Sequence, residues 1–420
     1  MPKLYKALKA KPFLIVLLYL AASPNHVYAG GAALSLGEAE RLAMERDPLK
    51  SKHLELTRSL QSQSKVAKYL PNPKVKMGFD NFPVDTFDRG QAPMTQIKLG
   101  IQQPIPRGKT RRIQSAYKQT LSRRQQELAR NRVWLARREA RKSWLELYYW
   151  QRAERIVRVN RRLFKQMLRV TEDQYRAGRG LQHEVIRAQL EIDLLDDRLT
   201  KIKNRQDRAR AMLGKWIGLE NAARPLSGRL PASARFSSLK SMLDRLPKHP
   251  LLRSDSISVR ASQKLVELAR QEYKPKFSFY ASYGQRKDRP DFASVGITMD
   301  IPFFKRKRND QQVIASERKV SAAVFARNER YLMLRRKLVD SYTTWKRLTT
   351  RYRRYTRTLL PKARMNSVTT MSSYQNKRSE FATLVKARIT ELDIKLRAFR
   401  LRIDIKKTES DLNYLTGEQS

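Results

Sequence analysis

The chain has 420 residues, of which 89 are Lys or Arg and 39 are Asp or Glu, giving a net charge of +50. It has no cysteine, which excludes a disulfide framework, thiol catalysis, Cys-based zinc or iron–sulfur sites and a Cys-linked lipid anchor. Forty per cent hydrophobic residues suffice for a core, the low count of 15 glycines argues against Gly-rich nucleotide-binding folds, and the charge points first to nucleic acid.

Residues 1–29 read as a secretory signal peptide. Lys3, Lys6, Lys9 and Lys11 form a basic start, Phe13 to Ala22 an apolar run, and Val27-Tyr28-Ala29 a small-residue cleavage site near Ala29. The run is too short to span a bilayer as a helix. An exported chain does not meet chromosomal DNA, so nucleic acid is set aside as a partner.

The rest of the chain is one unit written twice. Residues 30–218 form the first repeat, 219–238 a linker and 239–420 the second repeat. Tyr69-Leu-Pro71 returns as Tyr273-Lys-Pro275, and Ile105-Pro106 returns as Ile301-Pro302. YRAGRGLQHEVIRAQLE from Tyr175 returns as YQNKRSEFATLVKARIT from Tyr374, and LGKWIG from Leu213 as LNYLTG from Leu412. Four anchors in one order at a spacing of roughly 200 residues mark a duplicated half rather than a solenoid.

Each half reads as helix, two strands, long helix, turn, helix. The first helix covers 36–70 and stops at Pro71 and Pro73. No proline falls between Pro106 and Pro225, and apolar residues recur at helical intervals from Val133 through Trp144 to Leu163, so 107–175 is predicted as a single helix of roughly 100 Å. A turn at Ala177-Gly178-Arg179-Gly180 leads into a helix over 181–218. The second half repeats this as 239–273, 305–373 and 380–415. The shorter helices, roughly 57 and 52 Å long, laid end to end match one long helix, which is the arithmetic of a tube wall.

The strands are predicted at about 74–82, 94–104, 276–284 and 292–301. Each alternates with period two. Val75, Met77 and Phe79, then Ile97, Leu99 and Ile101, then Phe277 and Phe279, then Val295 and Ile297 fall on one side. Small or polar residues fall on the other, with Tyr280 as the exception. That is the pattern of a membrane barrel with a wet interior, its apolar side facing outer-membrane lipid. Four strands cannot close such a barrel, and an open edge is not tolerated in lipid. Other copies must complete it, and three copies give the twelve strands that leave room for a conduit.

No catalytic pattern emerges. His53, His183 and His249 have no metal-ligand spacing, and neither a nucleophile elbow nor a phosphate loop occurs, so no enzyme, cofactor or metal site is expected.

Over residues 30–420 the chain resembles the TolC family of outer-membrane efflux channels. The duplicated block of strands and long helices carries the resemblance, with QQPIPRGKTRR from Gln102 to Arg112 and the YRAGRGLQHEVIRAQLE turn. NPKVKMGFDNFPVD and the missing cysteine look nearest the heavy-metal-efflux, CzcC/CusC-like branch. The resemblance implies a homotrimer with a 12-stranded β-barrel in the outer membrane and a 12-helix α-barrel crossing the periplasm. It implies a passive exit duct for metal cations or drugs, docking a periplasmic adaptor and an inner-membrane transporter. A type I secretion duct of the same family and a soluble coiled-coil adaptor are the alternatives.

By the same resemblance, two helix–turn–helix tips meet the adaptor: Tyr175, Gly178, Arg179, Gly180 and Leu181 in the first, and Tyr374, Lys377, Arg378, Ser379 and Phe381 in the second. The second tip lacks the Gly found at Gly178, so the two are not expected to dock identically. Pro106, Gly108 and Pro302 mark the junctions between barrel and helices. The charge then becomes a property of the tube: residues 107–179 carry 22 Lys or Arg against six Asp or Glu, on either an outer or a luminal face.

Overall fold

The computed structural model describes residues 32–234 and 236–417; the signal peptide expected over 1–29 lies outside the described residues. The chain begins with α1 (Leu36–Arg46), capped by the Ser35 hydroxyl, which accepts a hydrogen bond from the Glu38 amide at 3.2 Å. It turns at once into α2 (Pro48–Val66). The single helix expected over 36–70 is therefore two. Pro48 sits at the first position of α2, where its missing amide costs nothing, and the Asp47 carboxylate caps the Leu49 amide.

Strands β1 (Lys74–Asp80) and β2 (Gln96–Ile105) follow, and then α3 (Thr110–Arg176), 67 residues without a break. α4 (Gln182–Ile217) returns antiparallel to it. A short α5 (Leu219–Ala223) leads to a parallel bridge between Leu226 and Leu34, so the segment between the repeats is tied to the start of the described chain.

In the second half, α6 (Leu239–Arg245) and α7 (Pro250–Gln271) flank a single 3₁₀ turn at 246–248, so the helix expected over 239–273 is also divided. Pro247 and Pro250 account for the break. β3 (Lys276–Gln285) and β4 (Phe292–Asp300) come next. The helix expected over 305–373 is interrupted twice. A π turn at 305–310 opens α8 (Gln311–Arg354), and a second at 355–359 separates it from α9 (Leu360–Gln375). Pro361 explains the second. It cannot donate to a carbonyl one turn back, and its ring needs the extra width. Arg162 stands at the corresponding place in α3, which stays regular. α10 (Phe381–Thr416) closes the fold.

The four strands form one antiparallel sheet in sequential order, with β2 of the first repeat paired to β3 of the second. The helices bury two apolar clusters. The larger joins α1, α3, α4 and the tip-side half of α10 around Trp144, Phe164, Leu213 and Leu384; the smaller joins α6, α7, α8 and the end of α10 around Met242, Leu334 and Leu412. Among the described residues no helix is long and apolar enough to cross a membrane.

Candidate membrane face and docking tips

Residues directly opposite in an antiparallel pair share a face of the sheet. The register builds two apolar rows across all four strands, Val75–Ile101–Ala281–Val295 and Met77–Leu99–Tyr283–Ala293, and a third across β2, β3 and β4, Ile105–Phe277–Met299. Phe79 lies opposite Ile97, and Phe279 opposite Ile297. Val75, Met77, Phe79, Leu99, Ile101, Phe277, Phe279, Val295 and Ile297 are exposed, Val295 at 84%, and Ile97 is half-buried. A contiguous apolar surface of this extent, facing away from the chain's own core, marks a contact with lipid or protein.

Tyr280 breaks the alternation for a structural reason. It pairs with Gly296, and its ring fills the space that a side chain at Gly296 would occupy. Gln96 covers Gly284 in the same way.

At the base of the sheet the two repeats are knotted together. Pro106 ends β2, and α3 starts four residues later, so Pro106 terminates a strand rather than opening the helix. Gly108 has φ +41°, and a Cβ there would sit 2.5 Å from Lys274 Cδ and 2.6 Å from Gln271 Oε1. The close approach lets the Lys109 amide donate to Gln271 Oε1 at 2.9 Å. Arg107 pairs with Glu272, Asn309 Nδ2 donates to the Glu272 carbonyl at 3.0 Å, and the Tyr273 hydroxyl donates to Asp310. Pro302 stands between β4 and the π turn at 305–310, where no glycine matches Gly108.

At the far end the two tips have the same backbone. In the first, Gly178 has φ +68°, its amide donates to the Tyr175 carbonyl at 2.9 Å, and the Arg179 amide donates to the Gln174 carbonyl at 2.8 Å. In the second, Lys377 has φ +58°, with matching bonds to Tyr374 at 3.0 Å and from Arg378 to Ser373 at 2.8 Å. Lys377 thus adopts the left-handed conformation without being glycine. Replacing it by glycine is expected to raise stability by about 0.5–1 kcal/mol, because the Cβ strain outweighs the added chain entropy; Gly178→Lys should cost a similar amount. Denaturant midpoints of the two variants check the pair.

The tips differ in what they present. Tyr175, Gly178, Arg179 and Leu181 are exposed, and Gly180 packs its backbone against Gln174 and Tyr175. Lys377 and Arg378 are exposed, but Phe381 is only 1% exposed and packs beneath Tyr374, ring centroids 5.6 Å apart. The Tyr374 hydroxyl donates to Gln174 Oε1 at 3.2 Å, joining the two tips. Burial, reinforced by the Glu184 charge, pushes the Tyr374 hydroxyl up to about 12, so it remains a donor at any physiological pH. Sequence reasoning missed this Tyr374–Gln174 tie, since nothing in the repeat marks a contact between the tips.

The charges sort by side. Acids on neighbouring helices consume the core-facing cations of α3. Glu40 pairs with Arg137 at 2.8 Å and with Arg141, and Asp47 takes Arg132 through two bonds of 2.9 Å. Burial alone would raise the Glu146 carboxyl, but hydrogen bonds from Arg400 and Lys407 outweigh it and hold the group below its ordinary range. Other cations are unpaired. Arg152, Arg155, Lys395 and Arg402 line a cleft of about 670 Å³ together with Tyr148, Ile156 and Phe399, and none has an ion-pair partner among the described residues. Among the described residues no three His, Asp or Glu side chains converge as a metal site.

The chain is a two-strand, long-helix unit written twice, with an exposed apolar sheet at one end and hairpin tips at the other. Residues 244–418, most of the second half, match the family model described as outer membrane efflux protein. No curated protein matches the sequence. Among solved structures, the outer-membrane channel OprN is similar at TM-score 0.77 and 16% identity, over 91% of this chain and 90% of that one. VceC, an outer membrane protein of Vibrio cholerae, is similar at 0.75 and 14% over 91% and 96%. CusC, whose structures bear on transmembrane channel formation, is similar at 0.76 and 13% over 93% and 96%. The fold is that of TolC-like channels.

Proposed function

We propose that the chain is the outer-membrane component of a tripartite efflux system, a passive duct rather than an enzyme. The observation that carries this reading is the single apolar face running across four strands that belong to both repeats. β1 and β4 each keep a free edge in one chain, and lipid does not tolerate unpaired backbone there. Three copies joined edge to edge give a closed barrel of twelve strands with room for a conduit. The helices then continue the tube through the periplasm, and the signal peptide over 1–29 delivers the chain for export. The division into repeats at 30–218 and 239–420, with 219–238 between them, follows from the same reading.

The tips are the docking ends for a periplasmic adaptor and, through it, an inner-membrane transporter. Tyr175, Arg179 and Leu181 offer contacts at the first tip, and Lys377 and Arg378 at the second. Phe381 and Tyr374 act beneath them as supports that hold the tip in shape.

The test is a pair of neighbouring substitutions. Val295→Arg puts a charge on the apolar face and is expected to cost about 2–4 kcal/mol of membrane stability, abolishing heat-modifiable trimers in the outer-membrane fraction. Ser294→Arg, one residue away on the other face, should leave trimers intact. Equal tolerance of both, or recovery of the wild type in the soluble periplasm, rejects the reading.

A further inference from the structure

The face opposite the apolar rows has its own composition. Its rows include Lys74–Gln102–Tyr280–Gly296 and Lys76–Gly100–Ser282–Ser294, with Lys98 opposite Gly78 and Lys276 opposite Asp300. Two of these lysines are neutralised within the face: Lys98 lies 3.3 Å from Asp80, and Lys276 lies 3.8 Å from Asp300. Lys74 and Lys76 are exposed and have no ion-pair partner among the described residues. The strand face is thus a small-residue, hydroxyl- and amide-lined surface whose only uncompensated charges are positive.

We infer that the barrel discriminates by charge, favouring anionic solutes through Lys74 and Lys76. The inference rests on the channel reading, which turns this face toward the water-filled interior. Three copies then bring six ammonium groups to one stretch of a conduit walled by lipid. Low-dielectric walls focus the field of like charges into the opening, raising the local concentration of counter-ions and lowering that of co-ions. Solutes carrying carboxylate, phosphate or sulfonate groups are the favoured class, and bare divalent cations the disfavoured one. Gly100, directly across from Lys76, and Ser282 and Ser294, further along its row, are too small to screen it.

The absence of native cysteine makes a local test clean. A single Ser294→Cys substitution places a thiol in the Lys76 row. In outer-membrane vesicles its rates of modification by an anionic and a cationic methanethiosulfonate are compared, and their ratio is referred to the same ratio on free cysteine. Any effect of the lysines on thiol reactivity cancels in that ratio. The anionic reagent should be favoured on the order of three- to tenfold. The preference should vanish in Lys74→Gln/Lys76→Gln and persist in Lys74→Arg/Lys76→Arg, which shows that charge rather than fold is responsible. A ratio favouring the cationic reagent, or one unmoved by the glutamine pair, overturns the inference and leaves the channel intact. A thiol that only a lipid-soluble maleimide can reach overturns the channel reading as well.

Discussion

Trp144→Ala is expected to cost about 3–5 kcal/mol, among the largest losses any single truncation in this chain can produce. The indole is fully buried on α3, stacks on Tyr148 with ring centroids 5.1 Å apart, and donates to the Leu34 carbonyl at 3.1 Å. That carbonyl also accepts from the Ser227 amide at 3.1 Å, and the Leu34 amide donates to the Pro225 carbonyl at 2.8 Å. One side chain therefore clamps the start of the described chain and the segment between the repeats onto the long helix. Removing it opens a cavity among Leu34, Ala140 and their neighbours in the larger cluster. The loss should appear as a lower denaturant midpoint and, on the proposed trimeric reading, as fewer heat-resistant trimers. Trp144→Phe keeps most of the volume and gives up chiefly the N–H bond, so it should cost nearer 1 kcal/mol. If alanine and phenylalanine prove equivalent, the clamp is not a packing device.

Much of this architecture was legible because its signals are local and repeated. Period-two alternation read with the right phase placed Val75, Leu99, Phe279 and Val295 on one side before any pairing was known, and the register sets them in three adjacent rows of one face. An unbroken stretch without proline made α3 a single helix. The sequence was less legible where one residue redirects a helix without ending the helical pattern. The apolar spacing runs straight through Asp47-Pro48 and through Pro361, and only the backbone shows a new cap at the first and a π turn before the second. The tips were hardest to read. Glycine at 178 and lysine at 377 suggested that the two tips dock differently, yet the hydrogen bonds of their turns are the same. Turn geometry there is set by the two helices that must meet, and lysine accepts the strain. Phe381 looked like a contact residue by position but is buried by Tyr374, a packing relation that a one-dimensional repeat cannot carry.

His249 should make stability fall with acid. Its ring lies between Trp134 and Tyr414, at centroid distances of 5.6 and 5.0 Å, and its Nδ1 accepts from the Leu251 amide at 3.2 Å, capping α7. Burial, reinforced by the Arg138 charge, lowers its pKa from 6.5 to about 4. The unfolded chain takes up a proton as pH drops below 6.5, while the folded chain resists until about 4. The stabilisation is therefore complete above pH 6.5 and is lost progressively on the way to pH 4, amounting to about 3 kcal/mol in all. His249→Asn keeps a capping acceptor but does not titrate. It should be less stable than the wild type at pH 7.5 by a packing offset, and that gap should shrink by about 2–3 kcal/mol at pH 4.5. Denaturant midpoints of both proteins at the two pH values give the result, and a gap independent of pH would show that the folded chain leaves the imidazole pKa at its ordinary value. Carboxylates titrating over the same range shift both proteins alike, so the difference isolates His249. This one ring therefore ties full stability of the fold to surroundings above about pH 6.5.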